Sequence, residues 1–166
     1  VKEGSAKVIA TYEVYKKTAS IEISVNKLED DEKIEIEGYK EQNGVISKFA
    51  RETNPTDFAK NIKVSEYLKV KVNTDKFVGS GTTVEIFRGD KCIQTYTCKL
   101  YGDVNGDGKI SAVDYMTLMN KIMGVKEITG DIERDVADIN SDKKISAVDY
   151  MYIMNDIMDA KKLDIR

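Results

Sequence analysis

Histidine and tryptophan are absent from this chain of 166 residues, and proline occurs only once, at Pro55. Histidine is the commonest general base in enzymes and a frequent zinc ligand, so neither chemistry has its usual residue here. Acidic pairs such as Asp30 and Asp31 are present, but adjacent residues on a strand or turn point apart and form no evident cleft. We therefore expect a non-catalytic protein.

The only two cysteines, Cys92 and Cys98, lie in a segment with the composition of a β-strand. In a strand, the rise of ~3.3 Å per residue would separate them by roughly 20 Å. A disulfide needs Cα atoms within about 7 Å. We expect free thiols, which say little about the redox compartment.

Long apolar runs are also missing, so direct insertion into a membrane is not expected. No signal peptide is recognisable in the first 30 residues, and the chain begins at Val1 rather than at Met. We interpret it as a fragment or mature segment, with any fused catalytic or binding domains outside this chain.

Acidic residues are concentrated towards the C-terminus. Residues 1–100 contain 17 basic and 16 acidic side chains, whereas residues 101–166 contain 9 and 13. Such an excess is expected where carboxylates collect around a cation. No basic patch indicates a nucleic-acid partner.

Residues 1–100 are predicted to form an all-β module. Alternating or apolar segments rich in Val, Ile, Thr and Tyr predict the strands. These segments are 6–12, 18–25, 33–37, 45–49, 67–72, 82–87 and 92–100, with one helical turn at 57–62 and a hairpin turn at 88–91. Short strands at this spacing favour an immunoglobulin-like sandwich or a similar fold.

A sub-boundary is expected near residues 28–32, at the acidic cluster Glu29–Glu32. Before it, the run GSAKVIATYEVYKKTASIEISV (residues 4–25) predicts a β-hairpin. This run resembles the last strands of bacterial immunoglobulin-like repeats, which would make it the end of an earlier domain. The alternative is that these strands belong to the same β domain as the rest.

An internal repeat occupies the C-terminal part. Ile110–Met116 recurs letter for letter at Ile145–Met151, 35 residues further on. The similarity extends backwards, where Asp103–Lys109 corresponds to Asp138–Lys144. A repeat of this kind indicates a duplicated structural unit.

Each copy has the spacing of a twelve-residue calcium loop, and we call residues 103–114 loop 1 and residues 138–149 loop 2. Oxygen ligands are expected at positions 1, 3, 5, 7, 9 and 12, because Ca²⁺ is a hard cation that takes six to eight oxygens. The predicted ligands are Asp103, Asn105, Asp107, Lys109, Ser111 and Asp114 in loop 1, and Asp138, Asn140, Asp142, Lys144, Ser146 and Asp149 in loop 2. The two lysines would contribute backbone carbonyls. We expect two Ca²⁺ ions; the alternative is two Asx-rich turns without metal.

Two positions depart from the loops of calcium sensors. Position 12 is Asp rather than Glu, so the following helix must lie closer to the ion. Position 6 of loop 2 is Lys143, although the turn there favours glycine because φ is positive. A lysine in that conformation costs on the order of 1 kcal/mol. We expect loop 2 to bind calcium more weakly than loop 1.

The run DVNGDGKI (residues 103–110), with Asp at position 12 and a second copy, resembles dockerins. These modules attach enzymes and surface proteins to cohesin receptors. The resemblance covers about residues 101–160, with residues 129–139 similar to the connecting helix of the family. It implies that residues 101–166 form a small all-α module of two EF-hand-like calcium loop–helix repeats.

The same resemblance implies a cohesin partner, on a scaffoldin or a surface protein. It also implies an extracellular or cell-surface location, in a Gram-positive anaerobic bacterium. Upstream, FAKNIK (58–63) and VGSGTTVEIF (78–87), followed by YTCKLYGDVNGDG (96–108), resemble the X-type β module that precedes some dockerins. Residues 1–100 would then be an X-type or immunoglobulin-like supporting module.

Two apolar stripes run along each predicted helix. The first is Tyr115, Leu118 and Ile122, repeated as Tyr150, Ile153 and Ile157, and we expect it in the core. The second contains all six methionines of the chain, which are Met116, Met119, Met123, Met151, Met154 and Met158. Methionine is flexible and polarisable, so this stripe suits a recognition surface. The alternative is one wide buried face, which a module of about 60 residues would struggle to bury.

In dockerins, recognition residues lie at loop positions 10 and 11 and along the following helix. By resemblance these are Ala112, Val113, Met119, Asn120 and Met123, and in the second copy Ala147, Val148, Met154, Asn155 and Met158. Many dockerins carry Ser-Thr at positions 10 and 11, where this chain has Ala-Val. A more apolar surface is therefore expected, and the specificity class stays open.

Two other functions compete with calcium-dependent docking. A calcium sensor would need full helix–loop–helix pairs and Glu at position 12. A carbohydrate-binding or adhesin-type surface fragment, with calcium used only for structure, would usually present exposed aromatic side chains. This chain has no tryptophan, and its tyrosines are scattered.

From the sequence alone, chelation of calcium is expected to unfold residues 101–160 and to leave the β part folded. The loop carboxylates repel one another without the ion, and an ion that binds only the folded form stabilises it. Thermal melts followed by circular dichroism, with and without chelator, measure this. A melt that does not change with chelator would contradict calcium-linked folding.

Overall fold

A computed structural model of the chain describes the backbone of residues 4–12 and 17–25, and both backbone and side chains of residues 32–163. The chain divides into two compact units, Val1–Lys33 and Ile34–Arg166. The predicted boundary at residue 100 and the predicted sub-boundary near 28–32 stay predictions, and residues 28–31 lie outside the described residues.

The first unit contains an antiparallel hairpin of two nine-residue strands, β1 (Gly4–Tyr12) and β2 (Lys17–Val25). Its register pairs Gly4 with Val25 and Tyr12 with Lys17. The predicted hairpin is confirmed. Its assignment to an earlier immunoglobulin-like domain stays a prediction.

The strands of the second unit are β3 (Ile34–Ile36), β4 (Lys40–Gln42), β5 (Val45–Ser47), β6 (Ile62–Val64), β7 (Leu68–Val72), β8 (Thr83–Arg88) and β9 (Lys91–Cys98). They form a five-stranded sheet with the order β4-β5-β9-β8-β7 and a two-stranded sheet that pairs β3 with β6. Adjacent strands are antiparallel except β5 and β9, which run parallel.

Alternation places one face of the sheet in the core. Val84 and Ile86 of β8 are fully buried, and the residues between and beside them are partly exposed. Cys92 and Cys98 both lie on β9 as free thiols, as predicted. Burial raises the pKa of the Cys98 thiol to about 12.

Three aromatic rings fill the end of this core next to helix α1 (Pro55–Lys60). Phe58 is fully buried, stacks on Tyr39 with a centroid distance of 4.6 Å, and meets Phe49 edge to face at 5.2 Å. Asn54 caps the helix by accepting a hydrogen bond from the backbone N–H of Asp57 at 2.9 Å. Pro55 at the first helical position has the φ that a helix start requires.

The sequence did not predict β4, β6 or the parallel pairing of β5 with β9. β4 is an edge strand whose three residues are all exposed, so it carries no periodic apolar signal. The β-rich character of this region is confirmed, whereas an immunoglobulin-like topology stays a prediction.

The C-terminal region is helical, with α2 (Ala112–Ile122), α3 (Asp131–Ala137) and α4 (Ala147–Ile157). Leu118 and Ile153 are fully buried between α2 and α4, which confirms the centre of the predicted core stripe. Its outer end was wrong, because Ile122 and Ile157 are 42% and 40% exposed. Both are the last residues of their helices. No helix in residues 32–163 is long and apolar enough to cross a membrane.

Replacing Phe58 with alanine should lower the free energy of unfolding by about 3–5 kcal/mol, because the cavity it leaves is lined by rigid rings. Phe58→Leu is the matched control and should cost much less, since it keeps an apolar side chain in place. Urea denaturation measures both. Equal costs for the two variants would contradict the aromatic cluster as the source of the stability.

Candidate metal centre

Loop 1 folds its side-chain oxygens back onto its own backbone. Asp103 accepts hydrogen bonds from the backbone N–H groups of Asp107, at 3.0 Å to Oδ1, and of Gly108, at 3.1 Å to Oδ2. Asn105 Oδ1 also accepts from the N–H of Asp107, at 2.9 Å. Asp107 Oδ1 accepts from the N–H of Lys109 at 2.9 Å. The side chains at positions 1, 3 and 5 are thereby held around one short turn.

Asp114 closes the loop from the other side. It is fully buried and lies at the third position of α2. Its Oδ1 accepts from the N–H of Val104 at 2.9 Å, and its Oδ2 accepts from the N–H of Ser111 at 2.9 Å. With Ser111 it forms a capping box that starts the helix. The shorter carboxylate at position 12 therefore also fixes the distance between loop and helix.

Loop 2 repeats these contacts. Asp138 Oδ1 accepts from the N–H of Asp142 at 3.0 Å, and Asp142 Oδ1 accepts from the N–H of Lys144 at 2.8 Å. Asp149 accepts from the N–H groups of Ile139 and Ser146, both at 2.9 Å. The similarity of the two loop sequences thus extends to the hydrogen bonds within the loops.

Both loops need a left-handed backbone at positions 4 and 6. In loop 1 these are Gly106 (φ 76°) and Gly108 (φ 78°), and in loop 2 they are Ser141 (φ 59°) and Lys143 (φ 67°). The expectation that Lys143 adopts a positive φ is confirmed. The same demand at Ser141 was not predicted from the sequence.

Buried carboxylates set the electrostatics of loop 1. Asp103 is fully buried, and this desolvation raises the pKa of its carboxyl group to about 6. Hydrogen bonds from the N–H groups of Ser80 and Gly108 lower the pKa, but by less than burial raises it. The neighbouring carboxylates of Asp114 and Asp107 raise it further. Burial likewise raises the pKa of Asp114. Because burying anions without a counter-charge is costly, a cation between these groups would offset the cost.

The side chains and carbonyl groups of each loop offer oxygen atoms, which are the ligands that a hard cation takes. In residues 32–163, no three Asp, Glu or Cys side chains come together in a way that could hold a metal by themselves. Each loop supplements its carboxylates with an Asn amide oxygen, a Ser hydroxyl and a backbone carbonyl, which are ligands that suit calcium rather than zinc. The individual ligands stay predictions.

A neighbour that the sequence did not predict lies against loop 1. The N–H of Ser80, in the turn before β8, donates to Asp103 Oδ2 at 2.8 Å. The N–H of Glu52 donates to the carbonyl oxygen of Gly108 at 2.8 Å. Both donors belong to the β part of the chain, so tertiary packing completes this loop. The only signal in the sequence was the run VGSG, whose glycines allow close approach.

Helices α2 and α4 meet through a symmetric pair of tyrosines. The rings of Tyr115 and Tyr150 lie with centroids 4.5 Å apart, and their hydroxyl groups are hydrogen-bonded. These residues occupy the same position in the two copies. The pairing therefore relates the two copies to each other.

The predicted recognition residues lie largely on the surface. Those exposed are Ala112, Val113, Met116, Met123, Ala147, Val148, Met151 and Met158, whereas Met119, Asn120, Met154 and Asn155 are half-buried. The start of α2 and the end of α4 form a shallow apolar groove, lined by Ala112, Tyr115, Met154, Ile157 and Met158. The expected exposure of the methionine stripe is confirmed for four of its six members.

One contact breaks the symmetry of the copies. Asp156 of α4 is buried and pairs in bidentate fashion with Arg51, at 2.6 Å and 3.2 Å. The equivalent position in α2 is Lys121, which instead pairs with Glu127 of the connecting segment. The β part is thus tied to the second helix by a residue that the first helix lacks.

Comparison with family models finds a match to the dockerin type I domain at residues 101–158. Curated proteins gave no match, and neither did solved structures. The match supports a dockerin module in this region, as the sequence motifs predicted. Dockerins are non-catalytic docking modules, and dockerin type I domains bind calcium. The match does not extend to the β part.

Replacing Lys143 with glycine should raise the free energy of unfolding by about 1 kcal/mol, because glycine adopts a positive φ without steric cost. Lys144→Gly is the matched control, since φ at Lys144 is not positive. It should lower stability by a few tenths to about 1 kcal/mol through the entropy of the unfolded chain. Urea denaturation measures both, and a loss of stability in Lys143→Gly would contradict strain at this position.

Proposed function

We propose that residues 101–158 bind a cohesin in a calcium-dependent manner, and that the β part supports this module structurally. The duplicated loop–helix unit carries the proposal, because it coincides with the match to the dockerin type I domain. Cohesin binding is the general function of dockerins. The docking would anchor a larger secreted protein or enzyme in a cell-surface or cellulosome-like assembly.

We propose that two Ca²⁺ ions are held, one in each loop. In loop 1, Asp103, Asn105, Asp107 and Asp114 would contribute side-chain oxygens, Lys109 its carbonyl, and Ser111 a direct or water-mediated contact. The equivalent residues of loop 2 would do the same. The ions neutralise the clustered carboxylates, and the capping boxes of Asp114 and Asp149 transmit the loop geometry to α2 and α4.

The recognition surface would be the exposed apolar positions of the two helices. Four methionine side chains are exposed at positions where a protein without a partner could equally carry polar residues. They are Met116, Met123, Met151 and Met158. Methionine side chains are flexible and polarisable, so they can adapt their shape to a partner. The cohesin would belong to a scaffoldin or to a surface protein.

Two binding orientations are proposed, because Tyr115 and Tyr150 relate the copies and each copy presents an Ala-Val pair at positions 10 and 11. Rotating the module would exchange the start of α2 with the start of α4 against the same cohesin surface. The Arg51–Asp156 pair lies at only one of the two helix ends. The orientations are therefore similar but not identical.

The location would be extracellular or at the cell surface, since dockerin modules are typically found in secreted or cellulosome proteins. A Gram-positive anaerobic host is part of the same proposal. Capture against a panel of cohesins, in calcium and in chelator, tests the docking function directly. No capture by any cohesin in calcium would contradict it.

Replacing Ala112 and Val113 together with aspartate tests the two orientations. Acidic residues in the first turn of a helix are favourable, so α2 should still form. The single pair should leave cohesin affinity nearly unchanged, because α4 can present its own Ala147–Val148 surface. The same change at Ala147 and Val148 is the matched control. All four changes together should reduce the affinity by on the order of 100-fold or more, as expected for loss of central contacts.

Isothermal titration calorimetry against one captured cohesin measures these affinities. Loss of binding from either pair alone would contradict two orientations while leaving the docking function intact. Unchanged binding with all four substitutions would move the recognition surface away from the starts of the helices.

A further inference from the structure

We propose that the turn at residues 77–81, which we call the glycine turn, holds the position 1 carboxylate of calcium loop 1 in place. Calcium binding in this loop and the stability of the β-sheet are then coupled. Loop 2 has no such coupling. This inference rests on the proposed binding of calcium. It assigns to Gly79 and Ser80 the role of positioning residues for the carboxylate of Asp103.

The first observation is the close approach of two backbones. A Cβ added to Gly79 would lie 2.4 Å from the N of Gly108, 2.6 Å from Asp103 Oδ2 and 2.7 Å from the O of Gly106. A Cβ added to Gly106 would lie 2.6 Å from the O of Ser80. One added to Gly108 would lie 2.6 Å from the Cβ of Phe77. Three glycines therefore allow the contact, and no side chain fits between the two segments.

The second observation is that loop 2 has no glycine at positions 4 and 6. Its backbone makes the same left-handed turns, but with Ser141 and Lys143 in place of Gly106 and Gly108. Both of these side chains are exposed. The φ values alone thus do not require glycine. In loop 1 the glycine turn occupies the space that these side chains would need.

The third observation is a hydrogen bond from the β part to the position 1 carboxylate of loop 1. Asp103 Oδ2 accepts from the N–H groups of both Ser80 and Gly108. The corresponding oxygen of Asp138 accepts from the N–H of Lys143, within its own loop. Asp103 is fully buried, whereas Asp138 is partly exposed. The position 1 carboxylate of loop 1 is thus fixed from outside the loop.

The glycine turn is itself anchored in the sheet. The N–H of Gly79 donates to the hydroxyl of Thr82 at 3.1 Å, and the N–H of Gly81 donates to the carbonyl of Cys98 on β9 at 2.9 Å. The Ser80 hydroxyl donates to the carbonyl of Leu100 at 3.0 Å. Any displacement of this turn therefore also strains the connection from β9 to loop 1.

A metal site gains affinity when its ligands are held in the binding geometry before the ion arrives, and contacts that orient ligands are commonly worth 10–100-fold. Linkage is reciprocal: if the folded sheet favours calcium in loop 1, then calcium in loop 1 must stabilise the folded sheet by the same factor. Chelation should therefore loosen the β-sheet as well as the helices. This differs from the expectation drawn from the sequence alone.

The test compares Gly79→Ala in two backgrounds of the full chain. In Asp138→Ala only loop 1 can bind calcium, and in Asp103→Ala only loop 2 can. Gly89→Ala, in the turn between β8 and β9 and outside the glycine turn, is the matched control, because a Cβ there also meets no atom within 4 Å and its φ is +58°. Calorimetric titration with calcium alone gives the affinity of each remaining loop.

Gly79→Ala is expected to weaken calcium binding by on the order of 10-fold or more in the Asp138→Ala background. Less than a twofold change is expected in the Asp103→Ala background, and also for Gly89→Ala in either background. Equal losses in both backgrounds, or no loss in either, overturn the coupling and leave calcium binding intact. A parent chain that binds no calcium overturns the proposed calcium sites and this inference with them.

A second variant covers the case in which Gly79→Ala does not fold. Ser80→Ala removes the hydroxyl that bonds Leu100 and should weaken loop 1 selectively, by a smaller factor. Amide hydrogen exchange gives an independent readout in the sheet. Calcium should slow exchange at Val84 and Ile86 of β8 in the Asp138→Ala background but not in the Asp103→Ala background. Calcium-independent exchange at both residues in both backgrounds contradicts the coupling.

Discussion

Buried carboxylates are the constraint on which the C-terminal half of this molecule depends. Asp103, Asp114 and Asp149 are fully removed from solvent, and each is surrounded by backbone N–H groups of its own loop. Such groups tolerate burial only when they are hydrogen-bonded or paired with a cation. The turns of the loops, the capping boxes and the contact with the β part all supply hydrogen bonds to these carboxylates.

The two copies of the repeat have nearly the same local structure in different surroundings. The hydrogen bonds within the two loops agree, and both copies begin a helix with a Ser–Asp capping box. Loop 1, however, is packed against a turn of the β-sheet, whereas the side chains of Ser141 and Lys143 in loop 2 are exposed. Duplication therefore supplies a symmetric pair of helices, and the β part makes the two ends of that pair unequal.

Exposed apolar residues on α2 and α4 are compatible with this arrangement because the core between the helices is small. Leu118, Ile153 and the tyrosine pair lie in it, and four of the six methionines remain exposed. A module of this size cannot bury every large apolar side chain that its helices carry. The apolar side chains that remain exposed would be available to a docking surface.

Local sequence determined the parts of this protein that local interactions control. Spacing of Asp, Asn and Ser predicted both loops, and the 35-residue repeat predicted two equivalent helices. Alternation predicted β7, β8 and β9, but the exposed edge strand β4 and the parallel pairing of β5 with β9 left no periodic signal. Tertiary structure alone decided that Ile122 and Ile157 are exposed, that Arg51 meets Asp156, and that Ser80 holds Asp103. The two hydrogen bonds join residues 23 and 105 positions apart, and no periodicity or spacing encodes such distances. Whether the last residue of a helix is buried depends on what packs against it, which the repeat by itself does not encode.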